Sequence, residues 1–313
     1  MVSYMLRRLG AGLVLALFVT LITFFLLSSS FEGAVRSLLG SSATPDTIAA
    51  MSASLGFDRP VLVQYGDWLA GAVRGDFGTS LFTSLPVGPA VLARLGVTLS
   101  LIVPALLITV VISVVLGVWS ASKGGVVDRV AQGISLIGNI LPNLLLAIGL
   151  VLVFAIRLRW LPATGYTPFS EDPAAWARSV TIPVIVLVIG GIASLTAQVR
   201  GSMIDELRKE YVRTLRTRGI GMRSVVLRHA LRNAAGPALT VLSLQFIGMF
   251  GGALIIENVF ALPGFGSYAF NATLQSDVPV IMGITVFSVL LVVIVNLAVD
   301  FIGGWLNPKA RIA

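Results

Sequence analysis

The chain is sparsely supplied with side chains that do acid–base, nucleophilic or metal chemistry. Its 313 residues hold one histidine, no cysteine and 14 carboxylates. Without thiols there is no disulfide, no iron–sulfur cluster and no thiolate metal site, and one imidazole cannot build a multi-histidine centre. His229 lies among Arg228, Leu231 and Arg232, a basic setting that suits a solvated or interfacial ring. No Gly-x-x-x-x-Gly-Lys-Ser/Thr loop occurs, and no Gly-x-Gly-x-x-Gly follows a strand pattern, so no nucleotide phosphate is cradled here. No serine, histidine and aspartate gather at one depth. These residues predict a non-catalytic chain without a cofactor or metal site of its own.

A different set of polar groups sits inside apolar runs: Asn139 and Asn143 around Pro142, then Gln198, Gln245 and Asn296. Such amides either hydrogen-bond across helices or face a transient water-filled path. Asn139, Asn143, Gln245 and Asn296 are the candidates for the path. Glu257 and Asp300 fall near run ends, where a carboxylate costs much less than at mid-bilayer. The file of buried acids expected of a proton-driven carrier is missing. Glycine pairs at Gly190-Gly191, Gly251-Gly252 and Gly303-Gly304 suit close helix approach or hinging.

The elements that must position these groups are membrane helices. Hydrophobic residues make up 56% of the chain and charged residues 12%, roughly half the charge of an ordinary globular protein. Apolar runs long enough to span lie at Leu9–Leu27, Val97–Ser120, Ile134–Ile156, Val180–Val199, Pro237–Ile256 and Val280–Ile302. None alternates at period two, which excludes a β-barrel and leaves helices. Ser28-Ser29-Ser30 offers small residues for a cleaved signal peptide, but the first run exceeds the usual apolar region of about 7–15 residues. The expectation is an all-α integral membrane fold with six transmembrane helices.

Lysine and arginine set the orientation. With a cytoplasmic N-terminus, 15 basic residues fall inside and 7 outside, while the acids divide 5 against 9. Both termini are therefore predicted to be cytoplasmic. The net charge of +8 is a topology signal rather than a nucleic-acid footprint. In the predicted outer segment, Val61, Leu62, Tyr65, Trp68, Leu69 and Val73 follow Pro60 at helical spacing. They predict a short amphipathic helix within Leu55–Arg74, lying at the interface or packed on neighbouring spans. Pro86 and Pro89 are expected to break the chain before the second span.

The segment 200–236 between the fourth and fifth spans is too long for a turn. Leu207, Tyr211 and Leu215 recur at i, i+4 and i+8, predicting one apolar helical stripe. Gly219 and Gly221 interrupt it as a stop and turn. A second amphipathic piece follows, with Met222, Val225, Val226, Leu227 and Leu231 among Arg223, Arg228 and Arg232, ending near Asn233 and Pro237. Two short helices at a glycine hinge make a knob whose apolar face suits a partner's groove. A basic loop lying on anionic lipid is the other reading.

Glu210-Tyr211-Val212-Arg213-Thr214-Leu215-Arg216-Thr217-Arg218-Gly219, then Leu227-Arg228-His229-Ala230-Leu231-Arg232-Asn233-Ala234 and Pro237, resembles the cytoplasmic loop of ABC-importer permeases. The likeness is to the oligopeptide/dipeptide branch, in its B-like member. In the wider family the loop begins Glu-Ala-Ala; the equivalent positions here are Arg213, Thr214 and Leu215, so the glutamate is absent. Three further stretches resemble the same branch. Leu55-Gly56-Phe57-Asp58-Arg59-Pro60 leads to Gly75-Asp76-Phe77-Gly78-Thr79-Ser80. Glu257 to Gly266 follows the fifth span, and Asn296-Leu297-Ala298-Val299-Asp300 precedes Asn307-Pro308-Lys309.

The resemblance implies a type I ABC-importer permease fold and half of a translocation path. A second homologous permease, two ABC ATPase subunits that use ATP and Mg2+, and an extracytoplasmic substrate-binding protein would complete it. The chain would be multi-pass in a bacterial cytoplasmic membrane and would bind no cofactor itself. Residues 1–96 would form the first span and outer segment, 97–302 a five-helix core that includes the 200–236 coupling loop, and 303–313 a tail. Glu210, Arg213, Thr214, Leu215, Gly219, Gly221, Val225, Val226 and Arg228 would dock the ATPase, with Val225 and Val226 filling its groove. Phe265, Gly266 and Trp68 would meet the binding protein. Di- or oligopeptides are the implied cargo. Nickel complexes, haem or another solute, or an ATP-independent channel or carrier, are the alternatives.

Overall fold

A computed structural model describes residues 2–126, 128–129, 132–133 and 141–306. Among them the only extended pairing is an isolated bridge between Thr79 and Pro86; the rest is helix and loop. Among the described residues, five helices are long and apolar enough to cross a membrane. They are α1 (Val2–Ser28), α5 (Val87–Lys123), α7 (Pro173–Leu207), α9 (Met222–Val259) and α11 (Val278–Leu306). Each runs past its apolar stretch because backbone pairing continues beyond the point where side chains need lipid. The run predicted at Ile134–Ile156 falls partly outside the described residues; its remainder forms α6 (Asn143–Leu150) and a π-helical turn, Val151–Arg157. Between α1 and α5 lie α2 (Phe31–Leu39), α3 (Pro45–Ser54) and α4 (Val61–Val73). Two more short helices are α8 (Glu210–Thr217) and α10 (Phe265–Gln275).

Proline behaves differently from the sequence expectation. Pro89 stands in the first turn of α5, where its missing N–H has no partner to lose, so it starts the helix instead of breaking the chain. Pro237 lies inside α9 rather than at its beginning. The helix opens at Met222 and passes through a π-helical turn, Val225–Ala230, before the α-helical stretch resumes at Leu231.

The chain divides into two compact units: residues 1–98 with 263–294, and residues 99–262 with 295–313. In the first, Phe24, Phe31, Val278 and Met282 are buried, and Leu27, Phe57, Val61, Tyr65 and Trp68 close around them. Phe31 stacks on Phe57 at 4.3 Å, and Tyr65 stacks on Trp68 at 5.9 Å. The Tyr65 hydroxyl lies 3.0 Å from the Thr20 hydroxyl. Helix α4 is therefore packed on α1 through its aromatic face, while Leu62 and Val73, placed on the same stripe by the sequence, point outward. A Cβ on Gly12 would stand 2.9 Å from Val293, so glycine lets α1 and α11 approach.

In the second unit α7 is the central helix: 61% of its apolar window is buried, against 17% for α1 of the first unit. Leu195, Val199 and Met203 of α7 pack on Val226, Ala230 and Ala234 of α9. A Cβ on Gly117 would stand 2.7 Å from Val199, so α5 meets α7 at a missing side chain. Asp128 fastens the end of this unit. It accepts both guanidinium nitrogens of Arg200, the Ser120 hydroxyl and, at 2.9 Å, the Gln132 amide. The Arg200 hydrogen bonds hold the Asp128 carboxyl well below the usual carboxylate range.

Candidate functional site

A cavity of about 230 Å³ is lined by Leu141, Asn143, Leu187, Gly190, Gln245, Gly248, Met249 and Gly252. It brings together Asn143 of α6 and Gln245 of α9, two of the amides singled out in the sequence, across the glycine pair of α7. A Cβ on Gly190 would stand 2.9 Å from the Asn143 Oδ1, and one on Gly191 would stand 2.6 Å from the Gln245 Nε2. Glycine at both positions therefore lets the two amides pack directly against α7. Ser194, one turn along α7, donates its hydroxyl to Gln245 Oε1 at 3.2 Å and orients the amide. The wall is neutral and polar, able to exchange hydrogen bonds with water or a passing amide but unable to hold a charge by pairing. Asn296 lies on α11 and does not line this cavity, and Gln198 bonds within its own helix to Ser202. Asn139 lies outside the described residues.

The 200–236 segment holds the short helix α8 and, past a glycine joint, the opening turns of the long α9 rather than a second short helix, and its apolar stripe is not continuous. α7 ends at Leu207 and α8 begins at Glu210, with Lys209 as the extended residue between them. Leu207 therefore does not share a helix face with Tyr211 and Leu215. The buried carboxylate of Glu206 bridges the break: it pairs with Lys209 and accepts the Tyr211 hydroxyl at 2.8 Å. Burial, with that carboxylate alongside, pushes the Tyr211 phenol above its ordinary value. The sequence reading missed Glu206. A carboxylate at the end of an apolar run, followed at three and five residues by Lys and Tyr, was the available signal.

α8 stops in a Schellman arrangement. Gly219 takes φ +80°, its N–H reaches the Arg216 carbonyl at 3.0 Å, and the Ile220 N–H reaches the Leu215 carbonyl at 3.2 Å. Gly221 then opens the next helix as its extended cap. Arg213, Thr214, Arg228 and Glu210 are exposed, as are Arg216, Arg218 and Arg223. Val225 and Val226, expected to fill a partner's groove, are 0% and 6% exposed and turned into this chain's own core. The exposed apolar side chains are Met222 and Leu227. Val226 packs on Leu195, Val199 and Met203 of α7 instead.

Phe265, expected at a binding-protein contact, is buried and opens α10, with its backbone N–H donated to the Thr98 hydroxyl at 2.8 Å. Gly266 is half-buried in the same first turn, and Trp68 is half-buried in the aromatic cluster. Among the described residues no group of three or more His, Cys, Asp or Glu side chains could hold a metal.

Comparison with known proteins agrees with this arrangement. Residues 113–312 match the family described as binding-protein-dependent transport system inner membrane component, and residues 1–102 match its N-terminal companion. The oligopeptide transport system permease protein AppB of Bacillus subtilis (strain 168) is 30% identical over 315 residues, covering 99% of each chain. The dipeptide transport system permease protein DppB of Alkalihalophilus pseudofirmus is 31% identical over 332 residues, covering 99% of this chain and 100% of its own. Among solved structures, the inward-facing MetNI methionine ABC transporter superposes with a TM-score of 0.54 at 13% identity, over 69% of this chain and 96% of that one. The chain belongs to the binding-protein-dependent transport system inner membrane component family and is the non-catalytic, membrane-embedded permease subunit of an ABC importer.

Proposed function

We propose that this permease forms half of a peptide-translocation path and pairs with a second, homologous permease. Two ATPase subunits, which use ATP and Mg2+, sit beneath it, and a substrate-binding protein delivers di- or oligopeptides from outside. The observation that carries the reading is the knob from Lys209 to Leu227. It is clasped to α7 by Glu206, turned at Gly219, and presents Met222 and Leu227 among exposed arginines. An apolar pair ringed by guanidinium groups suits a groove with carboxylates on its rim. Peptide cargo is supported by the names of the full-length relatives and by the neutral amide wall at Asn143 and Gln245. That wall can exchange hydrogen bonds with peptide groups whatever their side chains.

The mechanism is a two-state equilibrium. ATP draws the ATPases together, the knobs move with them, and the long helices rock between inward and outward openings. ATP shifts the balance only by its differential affinity for the two states. Gentle isolation of the tagged chain from its native membrane, with crosslinking before extraction, tests this by native mass spectrometry. The expected assembly holds a second permease and two ATPases, with a peptide-loaded binding protein captured alongside. A chain that stays alone or homomeric, or a binding protein loaded with a non-peptide solute, overturns the corresponding part.

A further inference from the structure

A separate groove of about 430 Å³ runs along α9 where it faces α5 and α7. Its walls are apolar, with Val114 of α5 and Val199 of α7 opposite the α9 face. Along that face the residues follow a strict order. Arg228 and Arg232, one turn apart and both exposed, stand at one end; Ala235, Ala238 and Leu242 continue the line. From Arg228 to Leu242 is about 21 Å of helix, somewhat more than the roughly 15 Å depth of one hydrocarbon leaflet. The alanines are what open the groove, since any longer side chain there would fill it. Depth is marked independently on α5, where exposed Trp119 has the Lys123 ammonium 5.9 Å from its ring centroid. A tryptophan and a lysine together at a helix end mark a membrane–water boundary.

We propose that this groove seats one anionic phospholipid of the cytoplasmic leaflet, its phosphate at Arg228 and Arg232 and an acyl chain over Ala235 and Ala238. The order of charge and apolar surface carries the assignment: two cations at the boundary, then a dry channel of leaflet length. A zwitterionic lipid would bring an ammonium group to the arginines, and a free phosphate would leave the channel empty. The assignment uses the cytoplasmic placement of 200–236 and gives Arg228 to the lipid rather than to the ATPase; it makes no statement about cargo, so it stands or falls apart from the peptide reading.

The test is native mass spectrometry of the assembled transporter equilibrated with phosphatidylglycerol or phosphatidylcholine. The wild type is expected to retain one phosphatidylglycerol with roughly tenfold preference over phosphatidylcholine. Arg232→Gln is expected to reduce that preference about fivefold while a lipid is still retained. Ala235→Phe is expected to expel the bound lipid with the subunit composition unchanged. Equal retention of the two lipids by the wild type overturns the proposal, as does an undiminished adduct on Ala235→Phe, which would indicate a headgroup site without a tail. Zero-length capture of an Ala235→Cys variant by the second permease would show a protein helix in the groove and overturn it as well.

Discussion

Two segments outside the long apolar runs, 29–86 and 208–236, look alike in composition: short helices, aromatic or aliphatic residues at helical spacing, glycine and scattered charge. They fold in opposite senses. The 29–86 segment turns its rings inward, where Phe31, Phe57, Tyr65 and Trp68 close on Phe24 and Met282. It is fastened further where buried Asp277 accepts the Ser80 hydroxyl at 2.6 Å. The 208–236 segment buries Val212, Val225, Val226, Ala230 and Ala234 and leaves arginines, Met222 and Leu227 outside. Apolar spacing reports a buried face in both, but only the second sets exposed arginines beside exposed apolar side chains.

That contrast breaks cleanly if the two segments respond alike to mutation. Gly219→Pro should abolish ATP-driven uptake in reconstituted vesicles while membrane abundance stays normal. Proline cannot reach φ +80° and removes the N–H that closes α8. Normal uptake at equal abundance would remove the hinge from the mechanism. Phe31→Ala should do the reverse, costing about 3–5 kcal/mol of stability, read as a lowered midpoint of unfolding in detergent, with uptake per folded molecule retained. Asp277→Ala should cost about 1–3 kcal/mol by the same measurement, because it strands the Ser80 hydroxyl and Leu81 N–H. Loss of uptake without loss of stability in either variant would turn the 29–86 segment into a functional surface.

The smallest expected effect is a pH dependence at Asp128, whose folded pKa is depressed by Arg200. Its contribution is therefore fully present above the unfolded carboxylate value of about 3.9 and fades as pH falls through the lower folded one. Asp128→Asn should lower the unfolding midpoint equally at pH 5 and pH 8, with the difference shrinking only in strong acid. A gap that closes already between pH 8 and pH 5 would mean the pair is not formed.

The long spans were legible because a run of about 20 apolar residues has few other uses. α2 and α3 were not, because at 9 and 10 residues they carry no such run, and α3 buries no side chain and is marked only at its start, by the Thr44 cap. The glycine stop at Gly219 was readable from spacing, while the break at Arg208 was not, since Asp205 to Arg216 continues the helical pattern across it. At Val225, Val226 and Phe265 the sequence indicated burial but not whose surface would provide it, and this chain's own helices did. Asn143 and Gln245 were found by chemistry, and the glycine pair between them explains why they meet.

Glu206 and the Gly190–Gly191 pair stand on one uninterrupted helix, about 24 Å apart along its axis. No proline lies between them. A stiff rod clamped at one end transmits displacement without storing it. On the proposed coupling, force applied at the clamp would arrive at Asn143 and Gln245 as travel, with no relay of side chains between.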